Sequence, residues 1–136
     1  YNKPSLVRNP DMILPMMYSA LRNFQYNSAK KDGKHIGIDE AEQPFDFAYT
    51  IDERFTENED KEALSRRIKA MVELLTPRQK EIVYLRYFTG MDYDSISVAM
   101  NLPKQGARKL MSKAIARMRS HDSSALKILL TIASLG

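Results

Sequence analysis

The sequence predicts an all-α fold: a small helical bundle with a C-terminal helix-turn-helix lobe, preceded by a helix and an irregular linker. Three observations predict it. Apolar residues recur at spacings of three and four along most of the chain. Helix start and stop signals punctuate the second half at Thr76-Pro77, Gly90, Asp92 and Asn101-Leu102-Pro103. The two short segments on either side of Asn101 are apolar-spaced, and the second carries Lys104, Arg108, Lys109 and Lys113 with no acid.

The elements follow in order. Residues 11–31 read as a helix, with Met17, Leu21, Phe24 and Ser28 on one stripe, and Pro15 near its regular start. Asp32-Gly33 ends it. Residues 32–56 lack a helical period and contain Gly33, Gly37 and Pro44, which predicts a linker with Phe45, Phe47 and Tyr49 as docking points. Thr56 to Glu59 is a capping-box pattern, opening a helix with the stripe Leu64, Ile68, Met71, Val72 and Leu75. Thr76-Pro77-Arg78-Gln79 repeats the device, with proline where its missing amide costs nothing. That helix carries Ile82, Val83, Leu85 and Phe88 and stops at Gly90, a residue suited to a left-handed cap.

Asp92 caps a short helix with Tyr93, Ile96, Ala99 and Met100 facing inward. Asn101 makes a tight turn, because asparagine tolerates positive φ. Pro103 starts the next helix, whose inward stripe is Ala107, Met111, Ala114 and Met118. At 100° per residue, Gln105, Arg108, Lys109, Ser112 and Lys113 fall in an arc of about 140° away from that stripe. Residues 120–124 break the pattern, and an apolar tail helix runs from Leu126 to Leu135. The organisation is therefore a helix within residues 1–31, a linker at 32–56, and a C-terminal helix-turn-helix domain at 57–136.

Charge and composition narrow the function. The net charge is only +4, but residues 76–120 hold nine Lys or Arg against three acids. A basic segment in a near-neutral chain points to a polyanion-binding part. The absence of cysteine excludes disulfides and thiolate metal sites, and His35 and His121 are isolated. No cofactor or metal is expected. With no glycine-rich phosphate loop and no nucleophile–base pairing, an enzyme is not expected either. No apolar run reaches membrane-spanning length and no signal pattern opens the chain, so a cytoplasmic protein is expected. The chain begins with Tyr1 rather than Met, so part of the natural N-terminus is expected to be missing.

A short capped helix, a tight turn and a longer basic helix make a helix-turn-helix. The first helix braces on the phosphate backbone; the second fits the major groove and presents its first turns to base edges. Arginine and lysine donate to guanine, and Gln105 has the bidentate geometry for adenine. Lysines further along meet phosphates. The candidate DNA-binding residues are Lys104, Gln105, Arg108, Lys109, Ser112 and Lys113, with Arg86 and Tyr93 at the approach to the motif. Arg86 has two readings, a phosphate contact or an internal pair with Glu81 or Asp94. Gly106 is a costly choice in a helix, explained by close approach of DNA or by simple tolerance.

The run Leu75-Thr76-Pro77-Arg78-Gln79-Lys80-Glu81, then Leu85 to Met91, then Tyr93 to Met118, resembles region 4 of bacterial RNA polymerase sigma factors, in particular the extracytoplasmic-function type. Asn101 stands where that family usually has glycine, and Pro103 where a Ser or Thr cap is common. Met17-Tyr18-Ser19-Ala20-Leu21-Arg22-Asn23 is similar to the end of region 2, with Met16 in place of a frequent tryptophan. The resemblance implies promoter recognition in transcription initiation. Helix 103–119 would bind the upstream promoter element as duplex. Apolar helix residues would meet the β flap of core RNA polymerase. Residues 1–31 would be a remnant of region 2, with Arg22, Asn23, Asn27, Lys30 and Lys31 near the melted strand. An anti-sigma factor is a further implied partner. Two other readings stay open: a stand-alone helix-turn-helix regulator, dimerising through its tail, and a helical protein-interaction module.

Overall fold

Proline placement sets the first element. A 3-10 turn at Pro10–Met12 leads into α1, Ile13–Lys31, and Pro15 falls in the first turn, where an amide has no helical partner. The computed structural model describes residues 10–31, 45–55 and 59–135. The remaining helices are α2 (Ala48–Arg54), α3 (Glu59–Glu73), α4 (Pro77–Val83), α5 (Tyr93–Ala99) and α6 (Lys104–Leu135). Among the described residues every regular element is helical, and no helix is long and apolar enough to cross a membrane. Two compact units are present, residues 1–43 with 91–108, and residues 44–90 with 109–136.

In the first unit α1 packs along α5. The face it turns inward carries Met12, Pro15, Met16, Ser19 and Arg22, all buried or half-buried. The apolar stripe read from the sequence lies outward. Met17, Leu21 and Phe24 are 56%, 63% and 70% exposed, alongside Ile13 and Leu14. Periodicity shows that a helix has an apolar side, but not that this side has a partner within the chain.

The second unit corrects the expected linker. Residues 48–54 form α2, with Asp46 Oδ1 accepting from the Ala48 amide at 2.9 Å. Phe47, Ile51 and Phe55, spaced by four, are buried, and α2 packs against α3. Asp52 accepts from Ser65 Oγ at 2.9 Å and pairs with Lys69 Nζ at 2.7 Å. Those contacts lower the carboxyl pKa of Asp52, the Lys69 bond most. Arg54 lies over the Phe88 ring, 4.9 Å from its centroid, and donates to the Tyr87 and Phe88 carbonyls at 3.4 Å each. Of the three expected docking aromatics, Phe47 is buried between Tyr84 and Phe88, Phe45 is half-buried against Tyr84, and Tyr49 is exposed.

The expected stripe of α3 is inside at Ile68, Met71, Val72 and Leu75, with Leu64 half-buried. The capping pattern proposed at Thr56 lies outside the described residues. The one at Thr76 is formed. Thr76 Oγ1 accepts from the Gln79 amide at 3.2 Å, and Gln79 Oε1 accepts from the Thr76 amide at 3.0 Å. After Val83 the backbone widens into π-helix over Tyr84–Phe88, and the Thr89 amide reaches back five residues to the Tyr84 carbonyl at 3.1 Å. The Thr89 hydroxyl donates to the Leu85 carbonyl. Gly90, at φ +78°, ends the segment in the left-handed region.

The break expected over residues 120–124 is confined to Asp122, which leaves helical geometry at φ −155°, ψ 84° inside α6. Its carboxylate caps the continuing tail through the Ala125 amide and pairs with Arg67 of α3. Ala125, Leu126 and Leu129 are buried and Leu130 is half-buried. The side chains from Ile132 onward lie outside the described residues.

Candidate nucleic-acid interface

Asp92 and Asn101 fix the two ends of α5. Asp92 Oδ1 accepts from the Ser95 amide at 2.8 Å, so the helix begins on its own carboxylate. At the other end Met100 is the cap and Asn101 follows in the left-handed region at φ 54°. The Leu102 amide bonds back to the Ser97 carbonyl at 3.0 Å, and the Asn101 amide to the Val98 carbonyl at 3.3 Å. This pair of bonds is a Schellman motif, with asparagine in the place where glycine is commonest. The Ser97 hydroxyl adds a bond to the Leu102 carbonyl. The turn is thus closed by three contacts before α6 begins.

Pro103 is the residue just before α6 rather than its first helical one; its carbonyl accepts from the Ala107 amide at 2.9 Å. From there the phase is fixed by burial. Ala107, Met111, Ala114 and Met118 are all buried, and Ile96, Ala99 and Met100 of α5 are buried too. Lys104, Gln105, Arg108, Lys109, Ser112 and Lys113 are all exposed. Five of those six residues share the arc opposite the buried stripe, and none of them is acidic. A helix bearing such a face can enter the major groove with donors for base edges at its start and cations for phosphates further along.

The two remaining candidates sit differently. Tyr93, in the first turn of α5, is half-buried, and the Arg108 guanidinium lies over its ring, 5.6 Å from the centroid. Arg86 is half-buried on the π-helical turn and belongs to the segment before the motif. The sequence reading missed the Arg108–Tyr93 contact and a second one: Lys104 Nζ pairs with Asp94 at 2.9 Å. Asp94 precedes Lys104 by ten residues, so no helical spacing connects them; only the closed turn between α5 and α6 brings them together. Of the proposed melted-strand candidates, Arg22 is half-buried and Asn23 exposed. The side chains of Asn27, Lys30 and Lys31 lie outside the described residues.

At Gly106 an added Cβ would meet only Pro103 Cδ, at 3.5 Å, an ordinary contact. Nothing among the described residues requires glycine there.

Residues 65–118 match the family model described as Sigma-70, region 4. No curated protein and no solved structure gives a match. The matched stretch begins within α3 and ends at Met118, the last buried methionine of the α6 stripe, so it contains α5, the turn and the part of α6 that bears the exposed cationic face. Over residues 65–118 this chain is therefore similar to region 4 of the sigma-70 family, a likeness that implies DNA binding in transcription initiation.

Proposed function

We propose that the chain acts as a sigma factor, of the extracytoplasmic-function type, that directs core RNA polymerase to promoters by reading the upstream element with helix 103–119. The observation that carries this is the exposed, acid-free face of α6 set opposite a fully buried stripe. In this reading α5 braces on the backbone while α6 lies in the major groove. Gln105 and Arg108, in the first turns, meet base edges; Lys109, Ser112 and Lys113 meet phosphates or bases further along. Apolar helix residues engage the polymerase β flap, and residues 1–31 are what remains of region 2. The role is binding rather than catalysis, and it is exercised in the cytoplasm with the polymerase, where an anti-sigma factor is a fitting regulator.

The test is to add the chain to core RNA polymerase and map transcription starts. A new set of start sites sharing an upstream element is the expected result. Duplex binding without new starts would make the chain a stand-alone helix-turn-helix regulator. No duplex binding, with and without polymerase, would overturn the DNA-binding role and leave the protein-interaction module.

A further inference from the structure

We propose that Tyr93 is a positioning residue for base recognition, acting through Arg108: the ring of the brace helix holds the arginine that reads the groove. This rests on the promoter-binding reading and deepens it.

An exposed arginine on a helix samples many rotamers, and docking must freeze them. Arg108 is exposed, yet its guanidinium carbon sits 5.6 Å from the Tyr93 ring centroid, within reach of the ring's negative face. A π-face attracts the charge without occupying the in-plane N–H donors. Those five donors form the fork that matches the two acceptors of guanine. The contact therefore narrows where Arg108 points and leaves its recognition edge available.

The neighbouring cation is treated differently, and this sharpens the assignment. Lys104 is joined to the Asp94 carboxylate at 2.9 Å. An ion pair of that kind sets the lysine's charge against an acid that also repels phosphate. Adjacent residues of α5 thus act on two cations one turn apart on α6. Asp94 offsets Lys104, and Tyr93 aims Arg108. Of these two cations, Arg108 is the one that discriminates bases, and the sharpness of its reading falls to Tyr93.

The experiment uses the intact chain, with core polymerase, and a duplex selected from a randomised pool. Binding is measured to that duplex and to its single-base-pair variants, for Tyr93→Phe, Tyr93→Leu, Arg108→Ala and the double variant Tyr93→Leu with Arg108→Ala. Tyr93→Leu should lose discrimination about threefold to tenfold at the one base pair that Arg108→Ala relaxes. Tyr93→Phe, which keeps the ring, should retain discrimination at that base pair. The double variant should match Arg108→Ala alone. Discrimination is a ratio between duplexes, so a partly unfolded population cancels from it. In the DNA-free chain, a ring-current shift on the Arg108 side chain should be present and should vanish in Tyr93→Leu.

An equal loss on every duplex in Tyr93→Leu would make Tyr93 merely structural and overturn the proposal. A Tyr93→Phe variant as impaired as Tyr93→Leu would make the hydroxyl a direct contact and overturn it as well. Additive losses in the double variant, or no ring-current shift in the parent, would count against it in the same way. Each of these leaves promoter binding intact. A parent chain that binds no duplex would remove both readings together.

Discussion

Arg67 and Asp122 are joined by a two-pronged ion pair, with Arg67 Nε 3.0 Å from Oδ2 and Nη2 2.8 Å from Oδ1. Oδ1 also accepts from the Ala125 amide at 3.0 Å, so one carboxylate ties α3 to the point where α6 breaks and starts the tail. The Arg67 hydrogen bond first, and the Ala125 amide second, hold the Asp122 pKa below its ordinary value. A depressed carboxyl pKa means that the unfolded chain binds the proton first as pH falls. The stabilisation is therefore present above the unfolded-state pKa and lost as pH drops through the folded one. Melting curves of the parent and Asp122→Asn should differ by a constant amount at neutral pH, with the parent more stable. The gap should close below about pH 4. A gap independent of pH would show that the charge on Asp122 contributes nothing.

Phe47 tests whether residues 45–55 belong to the folded unit. It is buried, 5.1 Å from Phe88 and 5.5 Å from Tyr84 between ring centroids. Phe47→Ala should cost about 3–5 kcal/mol in denaturant unfolding, the cost of truncating a core aromatic. A change near zero would mean that this stretch behaves as a linker after all.

Gly106→Ala should raise stability by about 0.5–1 kcal/mol, because helical positions favour alanine over glycine and, among the described residues, the new methyl meets nothing closer than Pro103 Cδ. Duplex affinity measured on the same variant decides why glycine is there. A loss of affinity in a more stable protein would mean that the bare backbone makes room for DNA. Unchanged affinity would mean tolerance.

Arg108→Ala should cost on the order of 1–3 kcal/mol on the preferred duplex and relax preference at one position. Competition binding against single-base variants separates this from a phosphate contact, which would weaken all duplexes alike.

Lys113→Gln should weaken binding evenly across sequences and flatten the plot of log affinity against log salt by about 0.9. An unchanged slope would remove Lys113 from the DNA footprint.

The parts of the fold that follow local rules were legible in the residues. The Thr76–Gln79 capping box, the Asp92 cap, the left-handed Gly90 and Asn101, and the buried Ala107–Met111–Ala114–Met118 stripe each depend on neighbours within a few positions. The exposed face of α6 follows from that stripe by helical phase, so most of the candidate interface was legible too. Helix α2 was not. Seven residues are too few for periodicity to declare itself. Its anchors are distant, as when Arg54 reaches carbonyls 33 and 34 residues along the chain. The facing of α1 was not legible for a related reason: Pro15 and Ser19 lie on its inward face while Met17, Leu21 and Phe24 face out. The Lys104–Asp94 and Arg108–Tyr93 contacts required the turn to be built before they could exist.

Ile13, Leu14, Met17, Leu21 and Phe24 stand in water along one side of α1. Salt acts on that side and on the cationic side of α6 in opposite senses. Ions release lysines from nucleic acid, whereas sulfate-type salts drive oily surfaces together. Ammonium sulfate used to strip contaminating DNA from a preparation should therefore send the same protein onto phenyl resin or out of solution. Chloride, or a trace of mild detergent, should keep it dispersed.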